Sequence, residues 1–306
     1  MKFKKLILIF ITVMTISVLS ACSSKSGDSD QPTVIVGSKD NTENQLMGEM
    51  YAQILEDEGI KVERKLFLGG TNPTYEALKK GDLSIYPEYT GTALTVMFQQ
   101  PVERDQEKVL NYVREEFKKI GLEYLEPAAH NSTYGFAMKK DLASQLGIET
   151  FSDLADNANS LILSFPQEFD LREDGLLGLQ KLYADQGGFT FKKQFQIDYN
   201  LRYQPLLEDE SDVTVVIGTD GQISGYDLKL LADEQDFFPA YNVAPLIRED
   251  ILKAYPSIQQ RLDELAPLLT DEAVQKMNWQ IDGDAKEEVE DVATAFLKEH
   301  NLLKNN

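Results

Sequence analysis

An α/β fold in two lobes is predicted by two observations. Strand and helix signals alternate along the chain, which points to layered α/β units. Roughly 270 residues remain behind an N-terminal leader and tether, enough for two separate cores. Two such lobes would leave a cleft between them, where small ligands usually sit. No internal repeat or low-complexity block is visible in that body.

The elements follow in order. Val34, Ile35 and Val36 form a short apolar strand running into Gly37-Ser38-Lys39. Thr42 then fits a helix N-cap, with Gln45 completing a capping box. Leu46, Met47, Met50, Tyr51, Ile54 and Leu55 follow at helical spacing, and Gly59 supplies the stop. Residues 60–66 read as a strand, Gly69-Gly70 as a turn and residues 75–80 as a short helix. Val109, Val113, Phe117 and Ile120 mark a longer helix ending near Gly121. Residues 161–163 and 213–217 read as strands on either side of a helix over 174–184. From Val243 onward the pattern gives one strand and then mostly helix, with Val289, Val292, Phe296 and Leu297 on one face of the last.

The first 22 residues carry a secretion signal. Lys2, Lys4 and Lys5 precede an apolar run over 6–19, too short for the ~18–20 residues that span a bilayer. Leu19-Ser20-Ala21-Cys22 resembles the bacterial lipobox, so Cys22 is expected to be lipidated and to become the first mature residue. It is the single cysteine, so no intramolecular disulfide is expected. Residues 23–32 contain no apolar side chain and read as a flexible tether. The formal charge of −21 includes +3 from the leader lysines, so the mature chain carries −24. Such acidity argues against nucleic acid and anionic headgroups as partners.

Enzymatic constellations are missing. His130 and His300 are the only histidines, and there is no His-x-x-x-His pair, cysteine cluster or Gly-x-Ser-x-Gly elbow. Gly69-Gly70-Thr71 lacks the spacing of a dinucleotide fingerprint or a P-loop. No catalytic residue, metal or cofactor is expected. Tyrosines are more informative: Tyr86, Tyr89, Tyr134 and Tyr241 sit where strand propensity gives way to turn chemistry. Converging tyrosine faces attract a quaternary ammonium, each contact being worth ~0.5–2 kcal/mol.

Several motifs carry a resemblance. They are Gly37-Ser38-Lys39 with Thr42-Glu43, Leu68-Gly69-Gly70-Thr71-Asn72, and Tyr86-Pro87-Glu88-Tyr89-Thr90-Gly91-Thr92. Phe169-Asp170-Leu171-Arg172-Glu173-Asp174-Gly175, Thr219-Asp220-Gly221-Gln222-Ile223 and Phe237-Phe238-Pro239-Ala240-Tyr241 follow. In this order, over 34–303, they resemble the substrate-binding proteins of osmoprotectant ABC transporters, which take up glycine betaine, carnitine, choline and similar compounds. The resemblance implies a type II periplasmic-binding-protein fold with a hinge and an interlobe cleft. Lobe 1 would hold 33–133 plus 238–306 and lobe 2 would hold 134–237. The protein is expected to be a monomer, lipid-anchored on the extracytoplasmic face of the cell membrane, working with a permease and an ATPase that are separate chains.

The resemblance also assigns the site. Tyr89, Tyr134 and Tyr241 match three positions of an aromatic cage for trimethylammonium, and Thr92 matches a residue fixing the ligand's polar end. Lys39 and Arg172 match basic groups near a carboxylate. The chain departs at two places: Ile217 stands where the family pattern has a further tyrosine, and Asn41 where it has an aromatic. Either an aromatic such as Phe169 fills the gap, or the pocket is retuned for a bulkier betaine such as ergothioneine, with Asn41 adding a polar contact. Two other readings remain open: a surface enzyme acting on choline-like compounds, and a lipoprotein with an adhesive or chaperone role.

Overall fold

Two sheets of identical strand order organise the chain. The structure, a computed structural model, describes residues 31–166, 169–170, 175–198 and 201–304. The leader with Cys22 and most of the tether lie outside the described residues, as does Arg172. Residues Thr33–Asn306 form a compact unit by themselves.

The first sheet has β1 (Val34–Gly37), β2 (Val62–Lys65), β3 (Ile85–Tyr89), β4 (Leu122–Tyr124) and β10 (Val243–Arg248), in the order β2-β1-β3-β10-β4. The second has β5 (Tyr134–Lys139), β6 (Ile162–Pro166), β7 (Lys193–Ile197), β8 (Val213–Ile217) and β9 (Leu228–Leu230), in the order β7-β6-β8-β5-β9. In each, three strands run parallel and the strand entering from the other sheet, β10 or β5, lies antiparallel beside the third. This repeat of topology has no echo in the sequence.

Each sheet buries both faces, as parallel strands usually do. Alternate residues of the first sheet point to opposite cores. Val36, Ile85 and Val243 meet Leu46, Met50, Ile54, Val292 and Phe296 on one side, while Tyr86 and Leu246 meet Leu78, Val113 and Phe117 on the other. In the second sheet Phe136, Leu163, Phe165 and Val215 join Phe151 and Phe189 on one face, and Ala137 and Val216 join Leu206 and Ile223 on the other.

The helix after β1 is α1 (Thr42–Asp57), with the expected residues Leu46, Met47, Met50, Tyr51, Ile54 and Leu55 buried. Its cap differs from expectation: Asn41 is the N-cap, its side chain accepting from Asn44 N, and Thr42 is the first helical residue. An asparagine side chain reaches the third residue's N–H as a threonine hydroxyl would. The Thr42 hydroxyl instead donates to Asp282, at 2.8 Å. Further helices, α2 (Thr71–Lys80), α3 (Gln106–Lys118) and α4 (Leu176–Leu182), are shifted by a few residues from their expected bounds. The strand expected over 60–66 is shorter, Val62–Lys65.

β3 carries Pro87 although it lies between two strands. Pairing with β1 is confined to Val36↔Ile85, so beyond Ile85 only β10 ladders with β3 and the missing N–H is tolerated.

Two segments connect the sheets side by side. Ala128 N donates to Val243 O at 2.8 Å, Ser132 N to Tyr241 O at 3.2 Å, and Thr133 Oγ1 to Pro239 O at 2.8 Å. Phe237 and Phe238 pack in the core of the second sheet. A short helix, α5 (Gly221–Gly225), follows β8, and α6 (Asp271–Asp282) lies against it. A Cβ on Gly221 would stand 2.5 Å from Trp279 N, and one on Gly225 would overlap the Trp279 ring. Asn278 and Gln275 of α6 donate to Thr219 O and Gly218 O, at 2.9 and 2.7 Å. The last helix, α7 (Val289–Glu299), covers α1 through Val292, Ala293, Phe296 and Leu297.

Candidate ligand-binding cleft

The ends of parallel strands from both sheets face one cleft of about 640 Å³, where open α/β sheets usually bind ligands. From the first sheet come Tyr89 at the end of β3, Thr92 in the following helical turn, Asn41 and Glu43 at the start of α1, Phe67 after β2, and Tyr241. From the second come Ile217 at the end of β8, Thr219, Asp220, Gly221 and Arg202. Ser132 of the connecting segment and Asn278 and Asp282 of α6 also line it, together with Asp40, Thr42, Gln45 and Gln222. A second depression of about 730 Å³ is lined by Arg114, Lys118, Glu123, Glu126, Glu249 and neighbours, without any residue of the second sheet.

Glycine shapes the tyrosine corner. A Cβ on Gly91 would come within 2.8 Å of the Tyr241 ring and 2.9 Å of Ala240 O, so this close approach requires residue 91 to lack a side chain. Thr90 ties the same corner, donating from its hydroxyl to Ala240 O at 3.0 Å and accepting from Asn242 N at 3.2 Å. Asn131 Oδ1 accepts from Tyr241 N at 2.8 Å.

Tyr89 is tuned by a carboxylate. Its hydroxyl donates to Glu43 Oε1 at 2.8 Å, and Ser132 Oγ donates to the same oxygen at 2.6 Å. Behind Glu43 lies His130, fully buried, with Nε2 3.7 Å from Glu43 Oε1, an ion-pair separation rather than a hydrogen bond. The other ring nitrogen, Nδ1, faces Leu269 O at 3.1 Å and is read as the donor there. Burial pushes the Glu43 carboxyl up, but the His130 imidazole and the Ser132 hydroxyl outweigh it and hold the group at about 2. Burial likewise pushes His130 down, and Glu43 more than reverses this, raising it above the usual histidine value. Burial first, then the Glu43 charge, pushes the Tyr89 hydroxyl well up, so the ring remains a neutral phenol.

Lys39 is placed away from the lining. Its ammonium donates to Glu88 Oε1 at 2.5 Å and to Thr71 Oγ1 at 3.1 Å, and lies 5.1 Å from the Tyr89 ring centroid. Glu88 is fully buried and also accepts from Tyr86 OH at 2.8 Å and Tyr89 N at 2.7 Å. Lys39 thus supports β3 from beneath. Tyr134 pairs across β5 and β8 with Ile217, so both side chains share a sheet face. Its ring is half-buried against Phe169 and Phe238, with centroids 5.8 and 6.0 Å away, and is not among the lining residues. Phe169 is buried in the second core and is not among the lining residues. Asn41 lines the cleft while its Oδ1 caps α1.

Arg202, Glu43 and Phe67 are among the lining residues that the sequence reading did not assign to the site. Arg202, only 6% exposed, is the one basic residue among the described lining. Its Nη2 donates to Asp220 Oδ2 at 2.5 Å, and its guanidinium lies over Tyr203 with 4.9 Å to the centroid. The same oxygen accepts from Tyr203 OH at 2.6 Å and from Ile217 N at 2.9 Å, which fixes the arginine beside Ile217. Nothing local in the sequence marks Arg202, because Asp220 is 18 residues away. Glu43 lay inside a quoted motif, but its partnership with Tyr89 spans 46 residues. Phe67 falls between the strand expected over 60–66 and a quoted motif, and belongs to neither. Among the described residues no group of three or more His, Cys, Asp or Glu could hold a metal ion, and no helix is long and apolar enough to cross a membrane.

A family profile described as the substrate-binding domain of ABC-type glycine betaine transport systems matches residues 32–299. The chain belongs to this family. It is a family of transport-binding domains rather than enzymes. The carnitine transport binding protein OpuCC of Listeria monocytogenes is 32% identical over 309 residues, 99% of each chain. The ergothioneine transport permease/ergothioneine binding protein EgtU of Helicobacter pylori is 34% identical over 278 residues, 89% of this chain. The chain spans about half the length of that relative, 48%. A solved structure described as a glycine betaine/carnitine/choline ABC transporter superposes with a TM-score of 0.83 at 29% identity, over 89% of this chain and all of the other. With the strand orders above, the fold is that of the type II periplasmic binding proteins.

Proposed function

We propose that this protein is the extracytoplasmic receptor of an ABC importer, lipid-anchored through Cys22, and captures a zwitterionic quaternary ammonium compound for delivery to a separate permease. One observation carries the reading: Tyr89 and Tyr241 line the same cleft as Arg202, offering π faces for a cation and a guanidinium for a carboxylate. Thr92 would serve the polar end, and Tyr134 would join the cage from its place beside Ile217. The lobes would be 33–133 plus 238–306 and 134–237, hinged where the two connecting segments run together. No bond is broken: the ammonium is desolvated against the tyrosine rings, contacts from both lobes favour the closed form, and that form docks on the permease.

A bulkier betaine is the second reading. It is favoured by Ile217 in the cleft wall, with Phe169 buried elsewhere, and by the similarity to the Helicobacter ergothioneine binder. Ile217→Tyr separates the two. In a betaine cage short of one ring, the substitution tightens glycine betaine by roughly tenfold; in a pocket shaped for a larger ligand, it weakens ergothioneine instead. Tyr241→Ala is expected to cost about 1–3 kcal/mol of binding in either case. Unchanged affinity in Tyr241→Ala by titration calorimetry would remove this corner from the site.

A further inference from the structure

We infer that α6 is the latch of the cleft: Trp279 and Gln275 close on the loop and short helix after β8, and this contact, which no ligand touches, sets how tightly every ligand is held. The inference rests on the solute-binding reading above and on its two lobes, which place α6 in one and α5 in the other.

Two stripes of α6 serve different partners. Val274 and Met277 are buried in the core between α1 and the first sheet. The neighbouring stripe meets elements of the second sheet. Gln275 Nε2 donates to Gly218 O at 2.7 Å, and the Trp279 ring meets Tyr226, just after α5, edge-on with 5.0 Å between centroids. Asn278 Nδ2, between the stripes, donates to Thr219 O at 2.9 Å. The indole itself joins neither sheet's cores.

The glycines around the indole are there for space. A Cβ on Gly225 would overlap the ring, and one on Gly283 would stand 2.8 Å from it. Neither glycine has a positive φ, so the backbone does not call for glycine at these positions, whereas the indole does.

Trp279, Gln275 and Tyr226 are absent from the cleft lining. A contact between lobes that lies outside the lining is broken when the lobes part and remade whenever a ligand draws them together. The apparent affinity for each ligand then scales with the population of the closed form, by one common factor.

Trp279 is the single tryptophan of the chain, so its fluorescence reports the latch directly. The test combines that emission with titration calorimetry of the purified wild type, Gln275→Ala and Trp279→Ala. The ligands are glycine betaine, carnitine, choline and ergothioneine, and ligand-free melting is recorded alongside. Each compound that the wild type binds is expected to shift the emission to one common end point. Trp279→Ala is expected to weaken all of them about tenfold and Gln275→Ala about threefold, by the same factor for each compound. Emission unchanged at saturation would overturn the inference, because the contact would then be the same with and without ligand. Factors that differ between compounds would overturn it too, since these side chains would then be touching ligand. So would wild-type affinity in both variants. Should Trp279→Ala fail to fold, Gln275→Ala and the wild-type emission decide. If the wild type bound none of the four, the solute-binding reading would fail and this inference with it; the other outcomes leave that reading standing.

Discussion

At the scale of the residue, the cleft holds one basic side chain among several carboxylates. Glu43 stands behind Tyr89, and Arg202 is strapped to Asp220 beside Ile217. If Arg202 receives a carboxylate, Arg202→Gln should weaken glycine betaine roughly ten- to hundredfold and leave choline, which has no carboxylate, within a few-fold. Equal losses for both ligands would mean that Arg202 only props up Asp220. The Glu43–His130 pair makes a pH prediction. His130 is raised in the folded protein, so its contribution is complete below the ordinary histidine value of 6.5 and is lost as pH rises through the raised value. Glu43 is held at about 2, so its contribution is present above 4.5 and lost as pH falls toward 2. The melting difference between wild type and His130→Gln should therefore be largest between about pH 4.5 and 6.5 and shrink on the alkaline side. A difference independent of pH would contradict the pairing.

At the scale of the element, α6 is the strut on which the second half of the cleft wall leans. Trp279 fills the space left by Gly221 and Gly225, and Asn278 and Gln275 hold the loop after β8. Gly225→Ala would force the indole aside, and overpacking of this kind typically costs about 1–3 kcal/mol. Urea unfolding should show that loss, and a variant as stable as wild type would mean that α6 yields easily. Elements governed by local pattern were readable in advance: the apolar stripe of α1 and the strand Val213–Ile217 fall where the periodicity put them. The cap of α1 was misplaced by one residue because Asn41 and Thr42 are both good caps, and the choice depends on Thr42 meeting Asp282, 240 residues away. The same limit applies to the site. Tyr89, Tyr241 and Thr92, which line the cleft, were assigned through the family resemblance of their motifs, while Arg202 and Glu43 acquire their setting only through long-range partners. Phe67 was hidden because its left-handed backbone depends on Ser38, 29 residues earlier.

At the scale of the whole molecule, two sheets with one strand order present their strand ends to a shared cleft, and the connections between them are two laddered segments. That arrangement lets contacts from both sides of a ligand favour a closed form. Glycine betaine should therefore reduce the radius of gyration in small-angle scattering, while an unchanged profile at saturation would argue for a rigid cleft. The central claim is that the cleft selects a quaternary ammonium by its charge. Titration calorimetry with glycine betaine and with 3,3-dimethylbutanoate, its uncharged-head carbon isostere, separates charge from shape. Binding of glycine betaine at least tenfold tighter than the isostere is expected from aromatic faces backed by Glu43. Equal affinity for the two would contradict the claim.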